Sequence, residues 1–400
     1  MSRRRRSSPC SRSQTEAGGI GLYVHIPFCL SKCAYCDFAS VPLESAGGLE
    51  TARRYLDALK VELDLRAASG EFLDAQVDTV YVGGGTPTVL PAEWLADLLA
   101  RIGQRFALVE GAEVTVEANP GTASAQKVGA LLAAGVNRIS LGIQSFSDPT
   151  LRTLGRLHTA AQAEEAIAAA RAAGCVNLSL DLIYAVPGQS LAEWEAALAR
   201  AVAASPEHIS AYGLSVEAGT PLAEAIGEGG IAAPDEDEYA RMYDAARRGL
   251  PQAGYRHYEI SNFAREGLEC RHNRRYWADD EYLGLGASAH SYRGGIRWNN
   301  LGDPGVYMVW LERGVLPVAR AERLSAEERV GEMLMLGLRR AEGVAESEVE
   351  ARCGLAPRAV FGREIEELCD RGLLIAADGA LRIPPERWLV SNEALAQFVG

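Results

Sequence analysis

The sequence predicts an α/β protein: a partial (β/α)6 barrel followed by a smaller C-terminal unit of winged-helix type. Between residues 20 and 215, short β-rich apolar runs alternate six times with segments of helical periodicity. That alternation is the mark of a parallel sheet with crossover helices. From about residue 305 the chain reads helix, helix, hairpin. A third observation locates the working end, because polar residues recur where the strands finish. Sheets of this kind bind ligands beyond the carboxyl ends of their strands.

Residues 21–26 form the first predicted strand and lead into a loop carrying Cys29, Cys33 and Cys36. Residues 51–69 then place Leu56, Leu59 and Leu63 on one helical face. The run 77–82 is the second strand and ends in Gly83-Gly84-Gly85-Thr86-Pro87-Thr88. Pro91 opens a helix whose apolar face carries Trp94, Leu95, Leu98, Leu99 and Ile102. Residues 113–117, 136–143, 176–183 and 208–214 are the remaining strands. Helices run to Ala134 and over 160–173, 190–203 and 235–249. Six units are two short of a closed eight-fold barrel, so an open one is expected. Four regions follow: a basic tail at 1–19 expected to be disordered, a core at 20–215, an extension at 216–304, and the C-terminal unit at 305–400. The extension reads as a connection rather than a further βα unit. In the last region, Ser325 and Glu328 form a capping box before a helix with Met333, Leu334, Leu336 and Leu338. A second helix covers 357–371, and 373–376 with 381–383 make the hairpin around Asp378-Gly379.

Composition narrows the class. The chain has 400 residues, is 48% hydrophobic, and carries a net charge of -13. That balance argues against a broad nucleic-acid footprint. The winged-helix-like region is itself acidic, with 17 Asp and Glu against 12 Lys and Arg in residues 301–400. A cover or protein contact suits it better than nucleic acid. The arginines of the tail precede no apolar segment, so they fail as a secretory signal. No run of about 20 apolar residues exists to span a membrane. Cys10, Cys175, Cys270, Cys353 and Cys369 are scattered, as expected in a reducing cytoplasm.

Cys29, Cys33 and Cys36 are spaced C-x3-C-x2-C, so that one loop can wrap one metal centre. Three thiolates hold three irons of a [4Fe–4S] cube, where a closed electron-transfer cluster wants four. The remaining iron can take a small molecule. Zinc is the alternative, and it needs a fourth ligand such as His25 in a structural site. A disulfide is disfavoured by the odd number of thiols.

The spacing and its setting, Tyr23-Val-His-Ile-Pro-Phe-Cys, resemble the radical S-adenosylmethionine (SAM) signature. The resemblance implies that SAM chelates the open iron through its amino and carboxylate groups. Gly83-Gly84-Gly85-Thr86-Pro87-Thr88, Glu117-Ala-Asn-Pro, Ser140-Leu-Gly-Ile-Gln144-Ser-Phe, Leu154-Gly-Arg156-Leu-His158 and Asp181-Leu-Ile-Tyr-Ala-Val-Pro-Gly follow in order. Together they resemble the group that contains oxygen-independent coproporphyrinogen III oxidase and the HemW haem chaperones, from about residue 20 to the C-terminus. The resemblance implies a radical-SAM barrel with Cys29, Cys33 and Cys36 on the cluster. It implies Tyr23, Tyr35, Gly84, Gly85, Thr86, Glu117, Gln144, Arg156 and Asp181 around SAM.

The oxidase pattern has a fourth cysteine where this chain has Phe38, and an N-terminal segment where it has the arginine-serine tail. Both departures favour the haem chaperones over porphyrinogen decarboxylation. The extension holds Cys270-Arg-His272-Asn273-Arg-Arg-Tyr276-Trp277 and Gly284-Leu-Gly-Ala-Ser-Ala-His290. His272 and His290 are the candidate haem contacts, against a plain reading of each as a packing histidine. The implied function is to bind haem and pass it to acceptor haem proteins, with membrane respiratory proteins among the candidates and a homodimer as one candidate assembly. The oxidase and a zinc-bearing interaction module are the alternatives.

Overall fold

The computed structural model describes residues 19–72 and 75–399. The basic tail therefore lies outside the described residues, apart from Gly19. One sheet of twelve strands organises the chain. Its centre is six parallel strands in sequence order: β1 (Ile20–Ile26), β2 (Gln76–Gly84), β3 (Ala107–Ala118), β4 (Arg138–Gln144), β5 (Leu178–Tyr184) and β6 (His208–Gly213). Between them run α1 (Gly48–Ala68), α2 (Ala92–Arg105), α3 (Ala125–Ala133), α4 (Ala160–Ala172) and α5 (Leu191–Ala203); α6 (Glu236–Gln252) follows β6.

Each strand has two unlike faces. Leu22, Val24, Val80, Val82, Val114, Val116, Ile139, Leu141, Leu178, Leu180 and Ile209 are buried in one core with Leu56, Leu59, Leu95, Leu98 and Trp194 from the helices. The alternate positions carry Tyr81, Glu117, Arg138, Ser140, Asp181 and Ser210, which face a cavity instead. Parallel strands covered by helices on both faces are apolar throughout. Here the second face is polar because it lines a lumen. Ser190 and Thr159 close capping boxes at the starts of α5 and α4, which fixes where the crossovers re-enter.

Residues beyond 215 do more than connect. β7 (Arg256–Glu259) and β8 (Asn262–Ala264) extend the sheet antiparallel beyond β6. β9 (Tyr282–Leu285) lies on the opposite side, parallel to β1, with Gly21 beside Tyr282 and Val24 beside Leu285. β10 (His290–Arg293), β11 (Ile296–Asn300) and β12 (Val318–Arg323) continue that edge antiparallel. A seventh parallel strand was not expected, since the extension reads as a connection and not as a further βα unit. Gly284 is required by closeness, since a Cβ there would lie 2.0 Å from the His290 carbonyl oxygen.

The extension is clamped to α1 by Glu62, whose buried carboxylate accepts from Tyr307 Oη at 2.7 Å, Asn300 Nδ2 at 2.7 Å and Gly286 N at 2.9 Å. The C-terminal unit has the expected capping box at Ser325 and Glu328, and its helices span Ala326–Gly337 and Pro357–Asp370. A helix at Glu346–Cys353 lies between them, and strands Val344–Ala345, Ile375–Ala377 and Ala380–Arg382 form the small wing sheet. The added helix carries three acidic residues in eight, which hid its short apolar face from periodicity. No described helix is long and apolar enough to cross a membrane.

Candidate functional site

A cavity of about 500 Å³ opens at the carboxyl ends of the parallel strands. Its wall includes Cys29, Cys33, Cys36, Tyr35, Gly84, Gly85, Thr86, Glu117, Gln144, Arg156 and Asp181. Eleven of the twelve residues expected around cluster and SAM are thus brought to one surface, the exception being Tyr23. Its hydroxyl donates to His25 Nδ1 at 2.9 Å, and its ring stacks behind Tyr81 at 6.3 Å between centroids.

The cysteine loop is seated by the glycine run. A Cβ on Gly85 would lie 2.6 Å from the Phe28 carbonyl oxygen and 3.0 Å from Cys29 Sγ. One on Gly84, whose φ is +110°, would lie 2.5 Å from the His25 ring, and one on Gly83 would lie 2.8 Å from the Glu117 carboxylate. These glycines admit the loop, the histidine and the carboxylate before any ligand is considered. His25 is fully committed: Nε2 donates to the Ala39 carbonyl at 2.8 Å while Nδ1 accepts from Tyr23. It offers no nitrogen as a fourth zinc ligand.

All three thiols are half-buried and unpaired. Burial raises Cys29 and Cys36 above the ordinary thiol value; a bound cation reverses that tendency. Zinc draws its thiolates to about 2.3 Å from one centre. A cube anchors each thiolate to a different iron and so needs a wider triad. Three half-buried thiols on one loop, with the His25 nitrogens engaged elsewhere, suit a group that takes three thiolates.

A polar chain braces the triad. Arg156 Nη1 donates to Cys33 Sγ at 3.4 Å, and its Nη2 to Asn119 Oδ1 at 2.5 Å and the Gly142 carbonyl at 2.7 Å. Asn119 Nδ2 donates to Thr86 Oγ1 at 2.7 Å, and Thr86 in turn donates to Cys29 Sγ at 3.8 Å. One arginine therefore reaches two cysteines, directly and through two side chains. Deeper in, Glu117 accepts from Tyr81 Oη at 2.8 Å and Gly84 N at 3.0 Å. Burial raises its carboxyl to about 7; those hydrogen bonds oppose the rise and the charge of Asp181 adds to it. Asp181 accepts from the hydroxyls of Ser140 at 2.9 Å, Ser210 at 2.7 Å and Ser179 at 3.3 Å. Gln144 sits at φ +61°, a conformation rare outside glycine, which turns the end of β4 into the cavity.

The two histidines are not part of this wall. His272 is buried, its Nδ1 within 2.9 Å of Thr79 Oγ1 and its Nε2 within 3.0 Å of Tyr276 Oη. Burial and the nearby Arg275 push it down to about 3, so it is neutral. His290 is exposed at the start of β10. From the His-Asn stretch it is Asn273 that reaches the cavity. Tyr81, Asn119, Arg138, Ser140, Ser210 and Tyr212 also line it and were not singled out from the sequence. A signal existed: Arg138, Ser140, Gly142 and Gln144 repeat every second residue in β4, as Ser210 and Tyr212 do in β6.

Residues 23–201 match the Radical SAM superfamily, and residues 324–390 match the HemN C-terminal domain. The structure is similar to that of Escherichia coli coproporphyrinogen III oxidase (HemN), a radical SAM enzyme, with a TM-score of 0.82 at 23% identity over 95% of this chain and 90% of that one. Fold and cysteine loop thus define a radical SAM protein of HemN-like architecture. The heme chaperone HemW of Mycobacterium tuberculosis is 40% identical over 374 residues, covering 93% of this chain and 91% of the relative. That of Bacillus subtilis is 34% identical over 380 residues, with 94% and 98% covered. The mitochondrial radical S-adenosyl methionine domain-containing protein 1 of Bos taurus is 34% identical over 406 residues, with 98% and 89% covered. The chain belongs to the HemW family.

Proposed function

We propose that this protein is a haem chaperone: it binds haem and passes it to acceptor haem proteins, with a [4Fe–4S] cluster on Cys29, Cys33 and Cys36 and an exchangeable SAM in the cavity. The observation that carries the reading is the three-thiol loop facing that cavity, with Phe38 exposed at its rim where the oxidase pattern has a fourth cysteine. The names of the HemW relatives support the haem half of it. A cluster with SAM supplies one-electron chemistry when bound. The chain's own part is to place and shield. Arg156 and Thr86 hold the thiols, Glu117 and Asp181 present carboxylates to a cationic ligand, and Gln144 and Tyr35 close the sides. We assign Tyr23 a supporting place behind Tyr81. His290 is free to meet haem as it stands, whereas His272 would have to release Thr79 or Tyr276. The same reading keeps 20–215 as the cofactor core, 216–304 as its extension and 305–400 as a cover, in a cytoplasmic protein.

The test is haem titration of anaerobically reconstituted protein, followed by coproporphyrinogen III turnover on the same sample with SAM and a reductant. Haem bound and transferred to an apo-acceptor without release of carbon dioxide is expected. Release of carbon dioxide would make the protein an oxidase. Zinc in place of iron and sulfide would make it the interaction module.

A further inference from the structure

Most of the chain's large apolar side chains are buried, yet four exposed ones stand on loops at the cavity's end of the sheet. Leu30 is 53% exposed and Phe38 64% on the cysteine loop, Leu157 is 70% exposed beside Arg156, and Val216 is 40% exposed just past β6. Backbone hydrogen bonds tie the three segments together. Ala34 N donates to the Leu154 carbonyl at 3.1 Å, and Leu222 N donates to the Ala34 carbonyl at 2.9 Å. Beneath them Leu154, Ile183, Val186, Leu214 and Leu222 make a separate small core against which Ala34 and Tyr35 pack. The apolar rim is therefore a braced platform. Apolar side chains gathered on tied segments at the edge of a cavity mark a binding surface rather than chance exposure.

The occupant is limited by room and by charge. The cavity inside the rim, about 500 Å³, takes one ligand of drug size. With SAM seated there, a macrocycle has no place within. Outside, the rim offers apolar contact on several sides, and Lys32 stands exposed among its residues. The Lys32 ammonium donates to the Phe38 carbonyl at 3.2 Å and has further N–H groups to give. Among the charged residues lining the mouth, Asp37 and Glu217 are acidic, Arg138 is buried and Arg156 is held by Cys33, Asn119 and Gly142, so Lys32 is the cation left for a flat apolar ring that bears carboxylates.

We propose that haem lies across the mouth of the cavity, one face on Leu30, Phe38, Leu157 and Val216, with a propionate directed to Lys32. This placement rests on the haem-chaperone reading. It has a consequence: seated haem covers the exit of the cavity, so SAM beneath it is released more slowly.

The test uses full-length protein loaded with cluster and SAM. Leu157→Ser with Val216→Ser removes apolar contact at two exposed positions outside the cavity wall, with iron, sulfide and circular dichroism as checks of integrity. The double variant is expected to bind haem at least tenfold more weakly. Haem is expected to slow SAM release in the wild type but not in that variant, and Lys32→Gln to weaken haem binding most at low salt. Wild-type haem affinity in the double variant would overturn the placement, as would loss of haem in His290→Ala alone. Retained haem binding with impaired reduction of the cluster by a protein electron donor would assign the rim to that donor and also overturn it. If the wild type binds haem and only the rim result fails, the chaperone reading stands. If the wild type binds none, both fall.

Discussion

Glu117 accepts hydrogen bonds from Tyr81 and Gly84, yet burial still lifts its carboxyl from 4.5 to about 7. Because the folded value is raised, its contribution to stability is full below 4.5 and is lost as pH rises through 7. The thermal midpoint of the wild type should therefore fall more steeply over that window than that of Glu117→Gln, and equal slopes would remove this carboxyl from the account. The effect is bounded at about 3–4 kcal/mol, at roughly 1.4 kcal/mol per pKa unit. Cys33→Ala should lose iron and sulfide after reconstitution while keeping its circular dichroism; a full cluster in that variant would show the ligand set to be wrong. The sequence pointed to Cys33 by spacing and to Glu117 by its place at a strand end. It gave no hint of Asn119 as the link from Arg156 to Thr86, because that role arises only where three loops meet.

At the scale of elements, the turn after β2 and the cysteine loop are one unit. The Cβ of Gly85→Ala would meet backbone at Phe28, which cannot yield as a flexible side chain would. That substitution should cost about 1–3 kcal/mol as overpacking does and lower iron occupancy, read by denaturant midpoint and iron analysis. Normal iron content would show that the loop relocates freely. The resemblance implies Gly84 and Gly85 around SAM; within the chain, the glycines' nearest partners are His25, Glu117 and the loop itself. Strand identities were legible because each apolar run alternates with a helix. The unusual φ of Gln144 was not, since nothing in Gly-Ile-Gln-Ser marks a left-handed residue.

Across the whole molecule, distant segments are fastened to the core by buried polar contacts. Glu62 joins α1 to Asn300 and Tyr307, with Arg66 at 3.6 Å. Glu62→Ala would leave that arginine buried without its partner, a loss of roughly 3–5 kcal/mol for pairs of this kind. The variant should unfold at lower denaturant and be cut first by protease in the extension; an unchanged midpoint would show that the clamp bears no load. Arg352 fastens the C-terminal unit in a similar way, donating to the Ala278 carbonyl at 2.7 Å and to Asp280 at 3.4 Å. None of these long-range ties could be read from periodicity, which reports only neighbours along the chain. The same limit hid β9, whose partner lies at the opposite end of the sequence.

That pairing has a bearing on how the protein is made. β1 carries the cysteine loop, and one of its edges is completed only by Tyr282–Leu285. At about 5–20 residues per second of synthesis, the ribosome takes roughly 13 to 50 s between the end of β1 and the end of β9. Throughout that interval the nascent chain exposes an unpaired edge, the kind of surface that recruits other strands. Slower translation lengthens the exposure, so yield of intact protein depends on how quickly the second half of the message is read.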